Sequence, residues 1–313
     1  MRFPPHQWAL ILGGSSGFGL ATARKLAEHG MHCCIVHRDR RGAMARIEPE
    51  FASIRDLGVS VVTMNADALD PVTRETCLVR LAAALGAEGR VRVLLHSIAF
   101  GNLKLLVPEP ARTDVARQRL ADALGVDVTA LANAANELFA GGVDALASLA
   151  DAPTYPTSAY LEDDDFARTI DSMGTSLVSW TRALLDRRLF AADARVLGLT
   201  SEGNTVAWKG YAAVAAAKTA LESVARAIAV ELAPYGVRAN VVQAGITDTP
   251  ALRAIPGHAH LAAQARRRNP FGRLTTPRDV ANVIFLLATD EAAWVNGALI
   301  RVDGGEHVAG AVA

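Results

Sequence analysis

Ser201, Tyr211 and Lys218 bring a hydroxyl, a phenol and an ammonium into one short stretch of the chain. Tyr211 and Lys218 stand seven residues apart, at the start of an alanine-rich segment. Its apolar spacing at Leu221, Val224 and Ile228 predicts a helix. Seven residues make two helical turns, about 10.5 Å of rise, so both side chains should project from one face. An ammonium near a phenol lowers the cost of a phenolate. A phenol with a hydroxyl beside it can hold charge that develops on a substrate oxygen, or pass that oxygen a proton. The commoner fate of such a pair is an exposed Tyr and Lys on a surface helix. The remainder of the chain argues against it here.

A second group of residues has the types that a phosphate needs. Gly13, Gly17 and Gly19 enclose Ser15, Ser16 and Phe18, directly after an apolar run at 8–12 and before an amphipathic segment at 20–29. Glycines in that place let the backbone turn sharply and approach an anion seated on the following helix N-terminus. A second apolar run, 32–36, ends in His37 and Arg38. In dinucleotide folds an acidic residue there binds the ribose 2′-hydroxyl and a basic one accommodates a 2′-phosphate. NADPH is therefore expected, with NADH kept open by Asp39. Asp67 and Ala68 follow a third run, Ser97 and Ile98 a fourth, and Gly245, Ile246, Thr247 and Thr249 a later one.

These groups need a scaffold that delivers them from strand ends. Strands are expected at 8–12, 32–36, 59–64, 91–95, 196–199, 237–242 and 298–302. Helices are expected at 20–29, 47–57, 73–85, 166–189 and 279–288. This alternation predicts right-handed crossovers and an α/β fold, a Rossmann-like doubly wound parallel sheet. One domain over 1–313 is expected, with a helical insertion at about 102–161, where no strand pattern occurs. Prolines bound that insertion, and helical segments are expected near 113–124 and 128–149. The acidic run Glu162 to Asp165 reads as a helix N-terminus, where carboxylates suit the macrodipole. A basic segment carrying Arg266, Arg267 and Arg268 looks mobile.

Composition narrows the partners. Lys plus Arg and Asp plus Glu both number 32, and 51% of residues are hydrophobic. A balanced charge gives no field for nucleic acid. No apolar run approaches the ~18 residues of a membrane span. Cys33, Cys34 and Cys77 lack metal-ligand spacing and read as buried thiols of a reducing compartment. Without a recognisable signal peptide, a cytoplasmic location is expected.

Taken together, the glycine motif, Asp67, Tyr211 with Lys218, the segment 245–249 and the segment Val302-Asp-Gly-Gly resemble the short-chain dehydrogenase/reductase superfamily. The resemblance covers roughly 7–101 and 162–308. Ordinary members place the tyrosine four residues before the lysine, where this chain has Val214. The seven-residue spacing, the segment His96-Ser-Ile-Ala-Phe and the segments 200–203 and 248–252 resemble the NADPH-using enoyl-acyl-carrier-protein reductases. Leu12 replaces the usual threonine of the glycine motif, and Met173 falls where ordinary members carry an asparagine. Ser201, seventeen residues before Lys218, stands where ketone reductases carry a serine.

The resemblance implies catalysis by Tyr211, aided by Ser201, with Lys218 on the nicotinamide ribose and Asp67 at the adenine. Ile246, Thr247 and Thr249 would fix the carboxamide and phosphates. It implies reduction of an enoyl thioester, carried on acyl carrier protein or coenzyme A. Two alternatives stay open: reduction of a ketone or 3-oxoacyl thioester, and a dinucleotide-binding regulator without catalysis. Relatives pair through the helix that bears Ala212, Ala215, Ala216 and Ala220 here, so a homodimer or homotetramer is expected. The insertion is expected to form a flap over the acyl pocket, with Arg266 to Arg268 offering a basic surface to an acidic carrier protein.

Overall fold

The computed structural model describes residues 1–110, 114–156 and 158–310. Seven strands form one parallel sheet in the order β3-β2-β1-β4-β5-β6-β7. They are β1 (Gln7–Leu12), β2 (His32–His37), β3 (Val61–Asn65), β4 (Arg90–His96), β5 (Phe190–Ser201), β6 (Val237–Ala244) and β7 (Leu299–Val302). Residues that alternate along a strand supply two different layers, as the period of two requires. Ala9, Ile11 and Ile35 pack with α1 (Gly17–Glu28), α2 (Met44–Arg55) and the late helix at 277–288. Trp8, Leu10 and Leu12 face α3 (Pro71–Leu85) and later helices at 176–186 and 212–231. Burial on both faces explains why these strands read as unbroken apolar runs. Cys33, Cys34 and Cys77 are free and buried, and burial pushes the Cys33 thiol up to about 12. No helix among the described residues is long and apolar enough to cross a membrane.

The insertion contains α4 (Val115–Leu124), α5 (Val128–Ala140) and a short 3-10 turn, Asp144–Ser148. The expected start of the first helix at Thr113 lies outside the described residues. The second helix stops at Ala140 instead of continuing to 149. Gly141 and Gly142 follow, and Gly142 adopts φ 96°, where the helix cannot propagate.

The helix expected over 166–189 is two helices, α6 (Asp163–Ile170) and α7 (Ser176–Asp186), joined by a π turn at Asp171–Thr175. The acidic run begins α6 as expected, and Glu162 and Asp165 form a reciprocal capping box. Gly174 in the π turn packs tightly on α8 (Ala212–Glu231): a Cβ there would lie 2.9 Å from Ala217 O and 3.2 Å from Ala220 Cβ. Part of the small-residue face expected to pair two subunits thus receives this chain's own backbone.

After β6 come α9 (Pro250–Arg253), α10 (His258–Arg268) and α11 (Pro277–Ala288). The expectation of a mobile basic segment at 266–268 is corrected here. These residues are the last turn of α10, which lies on the insertion. Arg266 donates twice to Asp144 at 2.6 Å, and the His260 ring packs tilted against Phe139 with centroids 4.8 Å apart. Arg266 and Arg268 are spent on partners far away in sequence, while Arg267 is exposed.

At the opposite end of the sheet, Arg92, Arg195 and Arg238 stand on adjacent strands around one carboxylate, Asp193. Arg92 and Arg195 also donate to the carbonyls of Ala288, Leu287 and Thr289, at the C-terminal end of α11. Positive charge there complements the helix dipole. Burial would raise the Asp193 carboxyl, but the three guanidiniums hold it below the usual range. Asp193→Ala leaves the fully buried Arg195 without its counter-charge, so it should cost roughly 3 kcal/mol of stability, read as a lowered urea midpoint.

Candidate active site

A cavity of about 570 Å³ opens at the C-terminal ends of the strands. Between β1 and β4 the strand order reverses, which leaves a crevice that connecting helices do not cover. The cavity is lined by Gly13, Ser15, Ser16, Gly17 and Phe18 from the loop after β1. His37 and Arg38 after β2, Asp67 and Ala68 after β3, and Ser97 and Ile98 after β4 continue the wall. Ser201, Tyr211 and Lys218 with Gly245, Ile246, Thr247 and Thr249 complete it. Of the expected site residues Gly19 alone stands back. It is buried, and a Cβ on it would lie 2.1 Å from Gly13 O, so its part is to let α1 close on the loop.

The loop fits a dinucleotide pyrophosphate on two observations. Gly13 adopts φ 85°, and a Cβ there would strike Ser97 O at 2.5 Å, so the loops after β1 and β4 meet backbone to backbone. Ser16 makes no side-chain cap to α1, which leaves the first amides of that helix to an anion.

At the outer end of the cavity Arg38 donates to Asp67 at 2.7 Å and its guanidinium lies 4.3 Å from the centre of the Phe100 ring. The expected role of the His37 side chain is corrected. Its ring is buried against Phe51 and bonded to Asp39 at 2.8 Å, because the last strand position points into the layer holding α2. Arg38 is the basic side chain that lines the cavity there.

At the inner end Ser201 Oγ and Tyr211 OH are 3.2 Å apart. Tyr211 is the N-cap of α8 (φ −114°, ψ 3°), so the two-turn helical spacing to Lys218 is corrected: the helix proper begins at Ala212. The shared orientation survives, since both side chains reach the same cavity. Trp208 packs edge-on to the Tyr211 ring at 5.2 Å. Gly203 lies beneath it, where a Cβ would fall 2.4 Å from Tyr211 Cε1. Burial pushes the Tyr211 phenol up, opposed by its bond to Ser201, so the group is a neutral donor. The eased phenolate expected from the ammonium is not what the geometry gives. Lys218 Nζ donates to Leu199 O at 2.7 Å.

Burial lowers Lys218 to about 8, against the pull of the Glu222 carboxylate. Glu222 also accepts from Thr200 Oγ1 at 2.7 Å and from Asn204, on either side of Ser201. His96, behind the site, shares a 2.8 Å hydrogen bond with Ser176; burial, and then Lys218, push it down to about 3. Lys218 is the cation of this end below pH 8, with a neutral imidazole behind it.

Sequence reasoning missed Phe100, Glu202, Gly203, Trp208, Leu252 and Ile255, all of which line the cavity or support Tyr211. Glu202, a charge directly after Ser201, was the one available signal. It is buried and accepts from Arg268, which also holds Glu306 at 3.0 Å. Lys218 should titrate near 8, charged below and neutral above, as read by NMR of labelled lysine. Glu222→Gln should move that titration further down; an unmoved value would separate the carboxylate from the ammonium.

Residues 127–307 match the family model described as enoyl-(acyl carrier protein) reductase, and residues 7–108 match that of short chain dehydrogenase. The chain is 27% identical over 302 residues to the cis-4-hydroxycyclohexanecarboxylate dehydrogenase of Sinomonas cyclohexanicum, covering 95% of each chain. It is 31% identical over 147 residues to the enoyl-[acyl-carrier-protein] reductase [NADH] FabI of Aquifex aeolicus, covering 47% of this chain and 54% of that relative. A Burkholderia cenocepacia short chain dehydrogenase, solved in complex with NADP, shares the fold. Its TM-score is 0.68 at 22% identity, over 97% of this chain and 99% of that one.

Proposed function

The chain belongs to the short-chain dehydrogenase/reductase superfamily, and from that premise we propose that it uses NADPH to reduce the carbon–carbon double bond of an enoyl thioester. Membership makes it an oxidoreductase of nicotinamide cofactors. The choice of reaction rests on one observation. The Tyr211 phenol is bonded to Ser201 at 3.2 Å, and the cavity-lining position four residues before Lys218 is the apolar Val214, which offers no proton. A ketone oxygen is bonded to the carbon that takes the hydride and needs a donor close by. The oxygen of a conjugated thioester lies two bonds further and suits the displaced phenol. The family model over the C-terminal half points the same way.

When bound, NADPH supplies the hydride that adds to the β-carbon, and a solvent proton completes the saturated thioester and NADP⁺. Among the protein's groups, the amides of α1 hold the pyrophosphate and Lys218 holds a ribose hydroxyl. Tyr211, kept protonated by burial, donates to the thioester oxygen as it gains negative charge, and Ser201 orients that phenol. Gly203 and Trp208 fix the ring, so the donor needs no rearrangement during the reaction.

The second reading is reduction of a ketone. Ser201 at the substrate end and the likeness to a cyclic alcohol dehydrogenase over nearly the whole chain favour it. Crotonyl and acetoacetyl thioesters, followed by NADPH oxidation, separate the two. Crotonyl reduction should dominate; acetoacetyl reduction with crotonyl untouched would replace the enoyl reading. Tyr211→Phe should lower crotonyl turnover on the order of 100-fold, the usual cost of one oxyanion donor, while NADPH binding by fluorescence stays unchanged.

The preference for NADPH rests on Arg38, which can turn from Asp67 to a 2′-phosphate in a charge-assisted contact. Arg38→Asp should shift the ratio of kcat/KM values toward NADH by about tenfold or more, the order expected for one charge-assisted hydrogen bond. A wild-type protein that uses NADH equally well would contradict this.

A further inference from the structure

We propose that the insertion at 102–161 decides which substrates the site accepts: it braces the outer side of the substrate pocket, fixes the pocket's depth and restricts it to short acyl groups. The acyl thioester comes from the reading above; its length comes from the contacts of the insertion.

The substrate end of the cavity is walled by Leu103, Met173, Trp208, Val214, Leu252 and Ile255. Leu252 lies on α9, Ile255 in the turn behind it, and Trp208 in the turn before Tyr211. Short segments of this kind are where active sites commonly yield to a substrate. Here the insertion packs against both. Gly257, two residues after Ile255, has no room for a side chain, since a Cβ on it would lie 2.5 Å from Pro153 Cγ. Gly210, two residues after Trp208, meets the Tyr155 ring, where a Cβ would lie 3.2 Å from Cε1. Lys209 between them pairs with Glu109. Further along, α10 is held by Phe139 against His260 and by the two bonds from Arg266 to Asp144. Among the described residues of the insertion Leu103 lines the cavity, and these contacts stand behind the wall.

A brace works only if it is stiff itself. Asp151, two residues before Pro153, accepts from Arg117 of α4 at 2.9 Å and from Asn136 of α5 at 2.7 Å. Its amide donates back to Asn136, and Arg117 also donates to Ala150 O. The two helices and the segment carrying Pro153 are thereby tied into one piece. Its root is fastened too: Leu161 N donates to Leu105 O at 2.9 Å, and Lys104 to Asp165 at 2.7 Å. Each surface ion pair is weak alone. Spread over both rims and the root, these contacts must break together before Leu252 or Trp208 can swing outward.

The length limit follows from volume. A pocket for one drug-sized ligand measures roughly 300–1,000 Å³. This cavity of about 570 Å³ must seat a dinucleotide along its glycine loop and leaves the remainder to the acyl group. A wall free to retreat would lengthen that remainder; a braced wall does not.

The test is a chain-length series of crotonyl, octenoyl and dodecenoyl coenzyme A, with the matching 3-oxoacyl thioesters beside it, followed by NADPH oxidation. In the wild-type protein kcat/KM should fall about tenfold or more from crotonyl to dodecenoyl, the least that a fixed apolar pocket exacts for excess methylenes. Asp144→Ala and Asp151→Ala loosen the brace at points remote from the cavity. Either should raise kcat/KM for dodecenoyl about tenfold and leave crotonyl turnover and NADPH binding within about twofold. Hydrogen exchange over residues 252–266 reads the brace without turnover: slow in the wild type with or without NADPH, faster in both variants. A wild-type protein that reduces dodecenoyl as well as crotonyl would overturn the proposal. Exchange that quickens in the variants while the chain-length ranking stays, or that is unmoved in both, would overturn it equally. Turnover of the 3-oxoacyl series alone would sink the enoyl reading, while the chain-length ranking within that series would still decide this one.

Discussion

A buried ammonium must find its oxygens within the fold, and much of this site follows from how Lys218 finds them. Its first partner is the carbonyl of Leu199 at the end of β5. Glu222, one turn further along α8, supplies a counter-charge. The same carboxylate holds Thr200 and Asn204, and so pins the turn that contains Ser201 and Gly203. Tyr211 rests its ring on that glycine and its hydroxyl against that serine. One buried charge thus joins β5, the turn and α8 into a single unit, which makes the positions of the phenol and the lysine mutually dependent. Removing the charge from solvent disfavours it, and the depressed titration of Lys218 is the mark of that cost.

The scaffold around this unit divides its two ends by the kind of interaction each can carry. Side chains close one end, where two guanidiniums from adjacent strands, Arg92 and Arg195, occupy the carbonyls ending α11. At the other end the strands splay, and backbone does the work. Gly13 meets Ser97 with no room for a side chain, so an anion at α1 is approached by main-chain amides. Open crevices at strand ends where the order reverses follow from the topology itself.

Much of this was legible in the residues. Unbroken apolar runs separated by helix-period segments gave the sheet, and the glycines, Asp67, Tyr211 and Lys218 marked the cavity. What stayed hidden depends on partners remote in sequence. Arg266 and Arg268 read as a free basic run because Asp144, Glu202 and Glu306 lie in other segments. His37 read as a phosphate ligand because only the tertiary position of Phe51 turns its ring inward. Gly203 carried no signal at all, since its role is to lack a side chain beneath an aromatic ring whose place is set at the cap of α8. The break in the helix over 166–189 was equally silent, for its cause is the approach of Gly174 to Ala217 and Ala220.

That break has a bearing on how such a chain can diversify. A π turn holds one residue more than an α turn, and each residue advances a helix by about 100°. The two halves, α6 and α7, are therefore out of phase with each other. Leu177, Trp180 and Leu184 keep facing the sheet, while Met173 and Thr169 face the cavity wall and the segment leaving β4. A continuous helix would present one stripe and oblige both tasks to share it. With the phase slip, substitutions that reshape the pocket and substitutions that tune the core fall on separate stripes, and drift in one leaves the other untouched.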